Sequence, residues 1–439
     1  MRRRTWILVW IGATIAAPLA AAEPACQLKV VTDREDAIYQ AGETARFVIA
    51  VTRGSEAVAT GTIAYAIDDF VTENPPPRDF PRGELELKGE PLEVAVTSTK
   101  PGFLRCEVSF RAGTDKPLRA AAGAAFSPLA IGPSLPVPDD FDAFWADQKK
   151  QLAAVPLEPA LTPVDPPEAG IVCFDVQVPC AGGAPVSGYL SLPKGAEAKS
   201  LPAILWVHGA GVRSASLASA VKGAQAGMLS MDMNAHGIPN GKPNAFYQEL
   251  AAGRLRNYRH EGRESRDTVY FRGMFLRLAR AIDFLASRPE WDGKTLIVIG
   301  HSQGGGQALA AGGLDDRVTM IAAGVPAICD HTGRAAGRVN GWPKLVPTDA
   351  DGTPDPAILE ASRYVDAVNF AGRCRAEAVM SVGFIDTVCP PSSCYAAYNA
   401  LRGPKHVIHE PLMGHAAPPH IHEAFFERVL EHVQGRRGD

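Results

Sequence analysis

The stretch Gly300-His301-Ser302-Gln303-Gly304 sets a serine between two glycines. A serine hydroxyl is almost un-ionised at neutral pH and becomes a nucleophile only when a base takes its proton. The short pattern arises by chance in unrelated chains, so its surroundings carry the weight. An apolar run, residues 296–299, comes directly before it, and a small-residue stretch, 305–311, directly after. That is the strand, sharp turn and helix of a nucleophile elbow. Glycines on both sides let backbones approach where a Cβ would not fit, and the serine is held exposed above the sheet. The chemistry implied is acyl transfer through Ser302.

The base must be a histidine later in the chain, and the chain has eleven histidines. In this arrangement acid and base follow the serine in that order. Residues 378–384 read as an apolar strand with Asp386 just past its end. Residues 407–409 read as a short last strand, with His415 in the loop that follows. Both then sit where open parallel sheets carry their sites. Asp386 would fix the His415 tautomer and stabilise its cation, although an aspartate at that place can also be an ordinary turn residue. Of the other histidines, His409 lies within a strand, and His420 and His422 run into the last helix. The oxyanion hole is expected from the backbone N–H of Gln303 and that of Ala210, in the loop His208-Gly209-Ala210-Gly211 after the apolar run 203–207. His208 is read as shaping that loop.

Other chemistries fail on spacing. His415, His420 and His422 are interrupted by Pro418 and Pro419 and have no partner carboxylate pattern, so no metal is expected, and acyl transfer needs no cofactor. Gly293-Lys294-Thr295 echoes a nucleotide loop, but Arg288 stands where its first glycine should be.

The elements that must position these residues alternate. Residues 143–152 and 271–286 show helical spacing of apolar residues; 172–178, 186–192, 203–207 and 228–233 read as strands, several apolar on both faces. This predicts an α/β-hydrolase with a mostly parallel sheet over residues 139–439. Residues 329–356 lack periodicity and read as an insertion or lid. Short alternating runs between residues 23 and 128 predict a small all-β, immunoglobulin-like sandwich, a spacer or a carbohydrate-binding unit. The proline-rich stretch 129–138 joins the two.

Arg2, Arg3 and Arg4, the apolar stretch 6–17 and the alanines 20–22 read as a signal peptide, residues 1–22, and predict a secreted or periplasmic protein. No other segment is long enough to span a bilayer. The formal net charge is −4, which gives no basic excess for nucleic acid. Eight cysteines permit disulfides in an oxidising compartment, with Cys26–Cys106 and Cys389–Cys394 as plausible pairs. The oligomeric state is not specified.

From residue 138 onward the chain resembles the acetyl xylan esterases and cephalosporin C deacetylases of carbohydrate esterase family seven. The resemblance rests on Pro138-Asp139-Asp140-Phe141-Asp142-Ala143-Phe144-Trp145, Tyr270-Phe271-Arg272-Gly273-Met274, Ser287-Arg288-Pro289-Glu290-Trp291-Asp292, Ser302-Gln303-Gly304-Gly305 and Ile385-Asp386-Thr387-Val388-Cys389-Pro390-Pro391. It implies that Ser302, Asp386 and His415 form a catalytic triad acting on O-acetylated carbohydrate. The chain departs from the family pattern in three places. Asn234-Ala235-His236-Gly237 replaces Arg-Gly-Gln, Ala210 stands where a tyrosine is common, and Ala416 stands where glutamate often follows the histidine. Asn234 and His236 either contact the sugar or build their own loop. Two other functions fit parts of the pattern. One is a broader esterase of aryl or feruloyl type, and the other is a non-catalytic carbohydrate-binding protein that kept the fold.

Overall fold

The computed structural model describes residues 25–71, 80–113 and 116–437; the expected signal peptide lies outside the described residues. The chain first makes two antiparallel-rich sheets. One contains Cys26–Thr32, Thr44–Arg53, Glu56–Ala57 and Leu92–Thr97. The other contains Ile38–Tyr39, Thr62–Asp68, Arg82–Glu86, Gly102–Phe110 and Leu118–Phe126. Period-two patterning explains the pairing: Ala45, Phe47, Ile49 and Val51 are buried while their neighbours face outward. They meet Ile63, Val94, Val108 and Phe126 in one apolar cluster.

Among the described residues, nine later strands form one mixed sheet. They are β1 (Ala160–Val164), β2 (Ile171–Val178), β3 (Val186–Pro193), β4 (Leu201–Val207), β5 (Leu229–Met233), β6 (Trp291–His301), β7 (Met320–Gly324), β8 (Glu377–Gly383) and β9 (Lys405–Glu410), in the spatial order β1-β2-β3-β5-β4-β6-β7-β8-β9. The first four in that order are linked antiparallel and the rest are parallel. Leu205, Ile297, Val298 and Ile321 are fully buried, because helices cover both faces of the parallel part. α1 (Phe141–Ala153), α2 (Leu217–Gln225), α3 (Tyr270–Ser287), α4 (Gln303–Leu314), α5 (Pro391–Ala400) and α6 (Pro419–Arg437) supply most of that cover.

α3 is buried on more of its circumference than its apolar spacing predicts. Two arginines allow this. Arg277 donates to the Ala235 carbonyl, and Arg280 donates to the carbonyls of Leu152 and Val155. Charge is tolerated inside because each guanidinium is hydrogen-bonded.

The irregular segment after β7 is packed, not loose. Asp366 accepts the backbone N–H groups of Asp330 and His331 at 2.9 and 2.7 Å. Arg338 closes on Asp330 at 2.9 Å, and Trp342 packs edge-on to Phe271. All eight cysteines are free thiols, so neither expected disulfide forms. Cys26 and Cys106 stand in different sheets. The Cys394 thiol turns to the carbonyls of Pro326 and Cys389. No helix among the described residues is long and apolar enough to cross a membrane.

Candidate active site

β6 ends at His301, and Ser302 makes the turn into α4 with φ +58° and ψ −122°. A non-glycine residue held at positive φ is strained, and such strain persists only where the surroundings enforce it. The enforcement here is steric. A Cβ on Gly300 would stand 2.5 Å from the Val207 carbonyl oxygen, and one on Gly304 2.3 Å from the same atom. β4 and the first turn of α4 therefore press together at a distance that glycine alone permits. The elbow geometry expected from Gly300, Ser302 and Gly304 is present.

Asp386 lies in the loop between β8 and α5 and is fully buried. Its Oδ1 accepts the backbone N–H groups of Val388 and Cys389 at 2.8 and 2.9 Å. Its Oδ2 lies 2.8 Å from His415 Nδ1. An ionised carboxylate only accepts, so Nδ1 carries the proton and donates. The lone pair is then on Nε2, which lies 2.9 Å from Ser302 Oγ. The chain Asp386–His415–Ser302 thus joins three loops from the same edge of the sheet, and it can draw a proton from the serine.

The loop after β4 passes directly beside the nucleophile: a Cβ on Gly209 would be 3.5 Å from Ser302 Cβ. Its carbonyls are turned away by specific donors. His208 Nδ1 donates to Gly209 O at 2.7 Å. Arg213 reaches the carbonyls of Ala210 and Gly209, and His236 Nε2 donates to Gly211 O at 3.2 Å. Gln303 is the first residue of α4, where the helix leaves backbone N–H groups unpaired and partly positive. Neither the Ala210 nor the Gln303 amide has a hydrogen-bond acceptor among the described residues.

For Asn234 and His236 the sequence leaves two readings open, sugar contact and loop structure. Both are buried, and the hydrogen bonds of both favour the loop-building reading. Asn234 donates to Ile238 O and to Asn240 Oδ1 and accepts the backbone N–H groups of His236 and Ile238. His236 Nδ1 accepts the Tyr270 hydroxyl at 2.7 Å. Burial pushes the His236 pKa down to about 3, helped by the positive potential of nearby groups. Burial likewise pushes His208 down to about 4. Both rings are neutral near pH 7, and both spend their protons on carbonyls.

Nothing in the sequence marks Tyr258. It lies in a loop without periodicity, 45 residues from its partner, and its hydroxyl donates to Gln303 Oε1 at 2.8 Å. Its ring packs edge-on to His236 with centroids 4.6 Å apart. The sequence spacing makes Cys389 a plausible disulfide partner, yet its thiol is free; Asp386, Cys389 and His415 have ligand atoms within 4.8 Å of one another. Of these, Asp386 and His415 are already engaged with each other. His420 is paired with Glu410 instead, and His422 packs on the His301 ring, so the three late histidines do not converge.

Strand order, elbow and a serine at the carboxyl ends of the parallel strands define the class: an α/β-hydrolase. The model of the acetyl xylan esterase family (AXE1) matches residues 132–428. The chain belongs to that family and is a carboxylic ester hydrolase, as its resemblance to acetyl xylan esterases implied. The acetyl esterase Axe7A of Xylanibacter ruminicola is 32% identical over 339 residues, 76% of this chain and 75% of that protein. The solved acetyl xylan esterase from Paenibacillus sp. R4 is 30% identical, with a TM-score of 0.58 over 69% of this chain and 98% of its own. Acetyl xylan esterase 1 from Thermoanaerobacterium sp. JW/SL YS485 shares the fold at the same TM-score of 0.58, with 24% identity, over 69% of this chain and 97% of its own.

Proposed function

We propose that this protein is a secreted or periplasmic serine esterase that removes O-acetyl groups from plant polysaccharides or their oligosaccharides, acetylated xylan foremost. The observation that carries the reading is the continuous hydrogen-bonded chain from Asp386 through His415 to Ser302. Ser302 Oγ attacks the acetyl carbonyl while His415 Nε2 takes its proton. The N–H groups of Ala210 and Gln303 receive the developing oxyanion. Nε2 returns the proton to the departing sugar hydroxyl, leaving an acetyl ester on Ser302. A water activated by the same nitrogen then releases acetate.

The substrate class is supported by the family and by the likeness to acetyl and acetyl xylan esterases. The finer organisation belongs to the same proposal: a signal peptide at 1–22, an immunoglobulin-like sandwich at 23–128, a linker at 129–138 and the hydrolase at 139–439. The division is supported by the separate apolar cluster of the first two sheets.

The mechanism is tested by labelling with a fluorophosphonate probe, followed by peptide mapping. The label is expected on Ser302, greatly slowed by His415→Ala and absent from Ser302→Ala. Labelling of Ser302→Ala at another serine would overturn the assignment. Secretion is tested by the amino terminus of the exported protein, expected at Glu23.

A further inference from the structure

The loop between the helix Asn244–Ala252 and α3 carries Arg254, Arg256, Arg259 and Arg263. The chain as a whole is formally −4, so this is a local reversal of charge. Arg254, Arg256, Asn257 and His260 line a cavity of about 760 Å³. Arg263 faces it too, with Glu264 3.9 Å from its Nε, and Glu261 completes the charged lining. No carboxylate among the described residues lies within ion-pair distance of Arg254 or Arg256.

The loop is fastened to the reacting centre. Tyr258, between the lining residues, is buried and donates to Gln303, whose amide is the oxyanion donor proposed above. Arg254 is close enough to act electrostatically on His236 and Tyr270. Arg259 lies over the Trp342 ring. Tyr258 thus joins the loop that carries these guanidinium groups to the first residue of α4.

We propose that this cavity is a subsite for a carboxylate-bearing sugar: a uronic acid substituent on the acetylated xylan that Ser302 deacetylates. The proposal rests on the deacetylase reading and names its substrate more narrowly. A xylan backbone is neutral, and its anionic groups are the carboxylates of uronic acid branches. Guanidinium forks match a carboxylate in two hydrogen bonds. Arg254 and Arg256 are exposed, so each contributes modestly and its effect is screened by salt.

The test reads binding without turnover, on Ser302→Ala protein. Xylotriose carrying one 4-O-methylglucuronic acid is compared with unsubstituted xylotriose by calorimetry at low ionic strength. The acidic sugar is expected to bind about tenfold tighter, an effect that two exposed charge pairs supply. The difference should vanish in Ser302→Ala/Arg254→Ala/Arg256→Ala, persist in part in the double lysine counterpart, and shrink at high salt. A thermal melt confirms that each variant folds. Equal binding of the two sugars, or a preference that survives the double alanine change, would overturn the subsite. Displacement of the acidic sugar by sulfate as readily as by free glucuronate would mark a general anion site and overturn the uronate assignment. A failure to release acetate from acetylated xylan would count against the deacetylase reading itself, and the binding comparison would still stand on its own.

Discussion

Gly123 lies so close to Phe384 that a Cβ on it would stand 2.5 Å from both the Cβ and the carbonyl oxygen of Phe384. Phe384 is two residues before Asp386. The Gly123 N–H also donates to Pro411 O at 2.9 Å, four residues before His415. The last strand of the first two sheets, Leu118–Phe126, thus braces the loops that hold acid and base. Phe103 adds an edge-on contact to Phe384, with ring centroids 5.1 Å apart. Gly123→Val should overpack this seam and destabilise the protein by about 1–3 kcal/mol. It should also lower kcat more than it raises KM. Thermal melting and steady-state kinetics on p-nitrophenyl acetate check both, and unchanged kinetics would mean that the contact does not reach Asp386.

Asp386→Asn should leave the fold intact and lower kcat by about 10⁴. The carboxylate now fixes the proton on His415 Nδ1. An amide can offer its N–H to Nδ1 instead, which moves the proton to Nε2 and leaves no lone pair for Ser302. A fall of tenfold or less would show that Asp386 does not set the tautomer.

Tyr258→Phe removes one buried hydrogen bond and leaves Gln303 Oε1 without its donor. Gln303 Nε2 is already buried without a partner, so the side chain loses its anchor and the first turn of α4 loosens beside Ser302. The expected loss is about tenfold in kcat, the worth of one such bond, with KM nearly unchanged. A change in KM alone would assign Tyr258 to substrate binding.

Both ring nitrogens of His331 are buried without hydrogen-bond partners, and burial pushes its pKa down to about 3. A histidine depressed in the folded state is protonated first in the unfolded chain. Its contribution to stability is therefore lost as pH falls from about 6.5 toward 3. Asp232 and Asp366 act in the opposite sense, since burial raises both to about 7; the stability they contribute is lost as pH rises from about 4 to 7. Comparing wild type with His331→Met isolates the histidine. The variant should be the more stable at pH 7, and its advantage should grow by about 3 kcal/mol between pH 6.5 and 4. Denaturant melts across this range measure it; a constant difference would show that His331 does not titrate on unfolding.

The sequence reveals most readily what backbone sterics dictate. Gly300 and Gly304 announce the elbow because no other residue fits against Val207, and the order of serine, acid and base follows from where the strands end. What stays hidden depends on distant pairing. Tyr258 gives no local sign of its bond to Gln303. Asn234 and His236 follow a strand end just as substrate-binding residues do, and only their burial and hydrogen bonds reveal loop-building. Cys389 and Cys394 are near enough in sequence to suggest a bridge, yet the Cys394 thiol turns to backbone carbonyls and the Cys389 thiol lies beside Asp386 and His415. The brace through Gly123 is likewise silent, since it joins positions more than 250 residues apart.

The central claim is deacetylation by Ser302, and acetate released from acetylated xylan and acetylated xylo-oligosaccharides, with wild type and Ser302→Ala side by side, tests it most directly. Release by the wild type and none by the variant is the predicted result. Cleavage of p-nitrophenyl acetate without release from either carbohydrate would contradict the substrate, and equal release by both proteins would contradict the nucleophile.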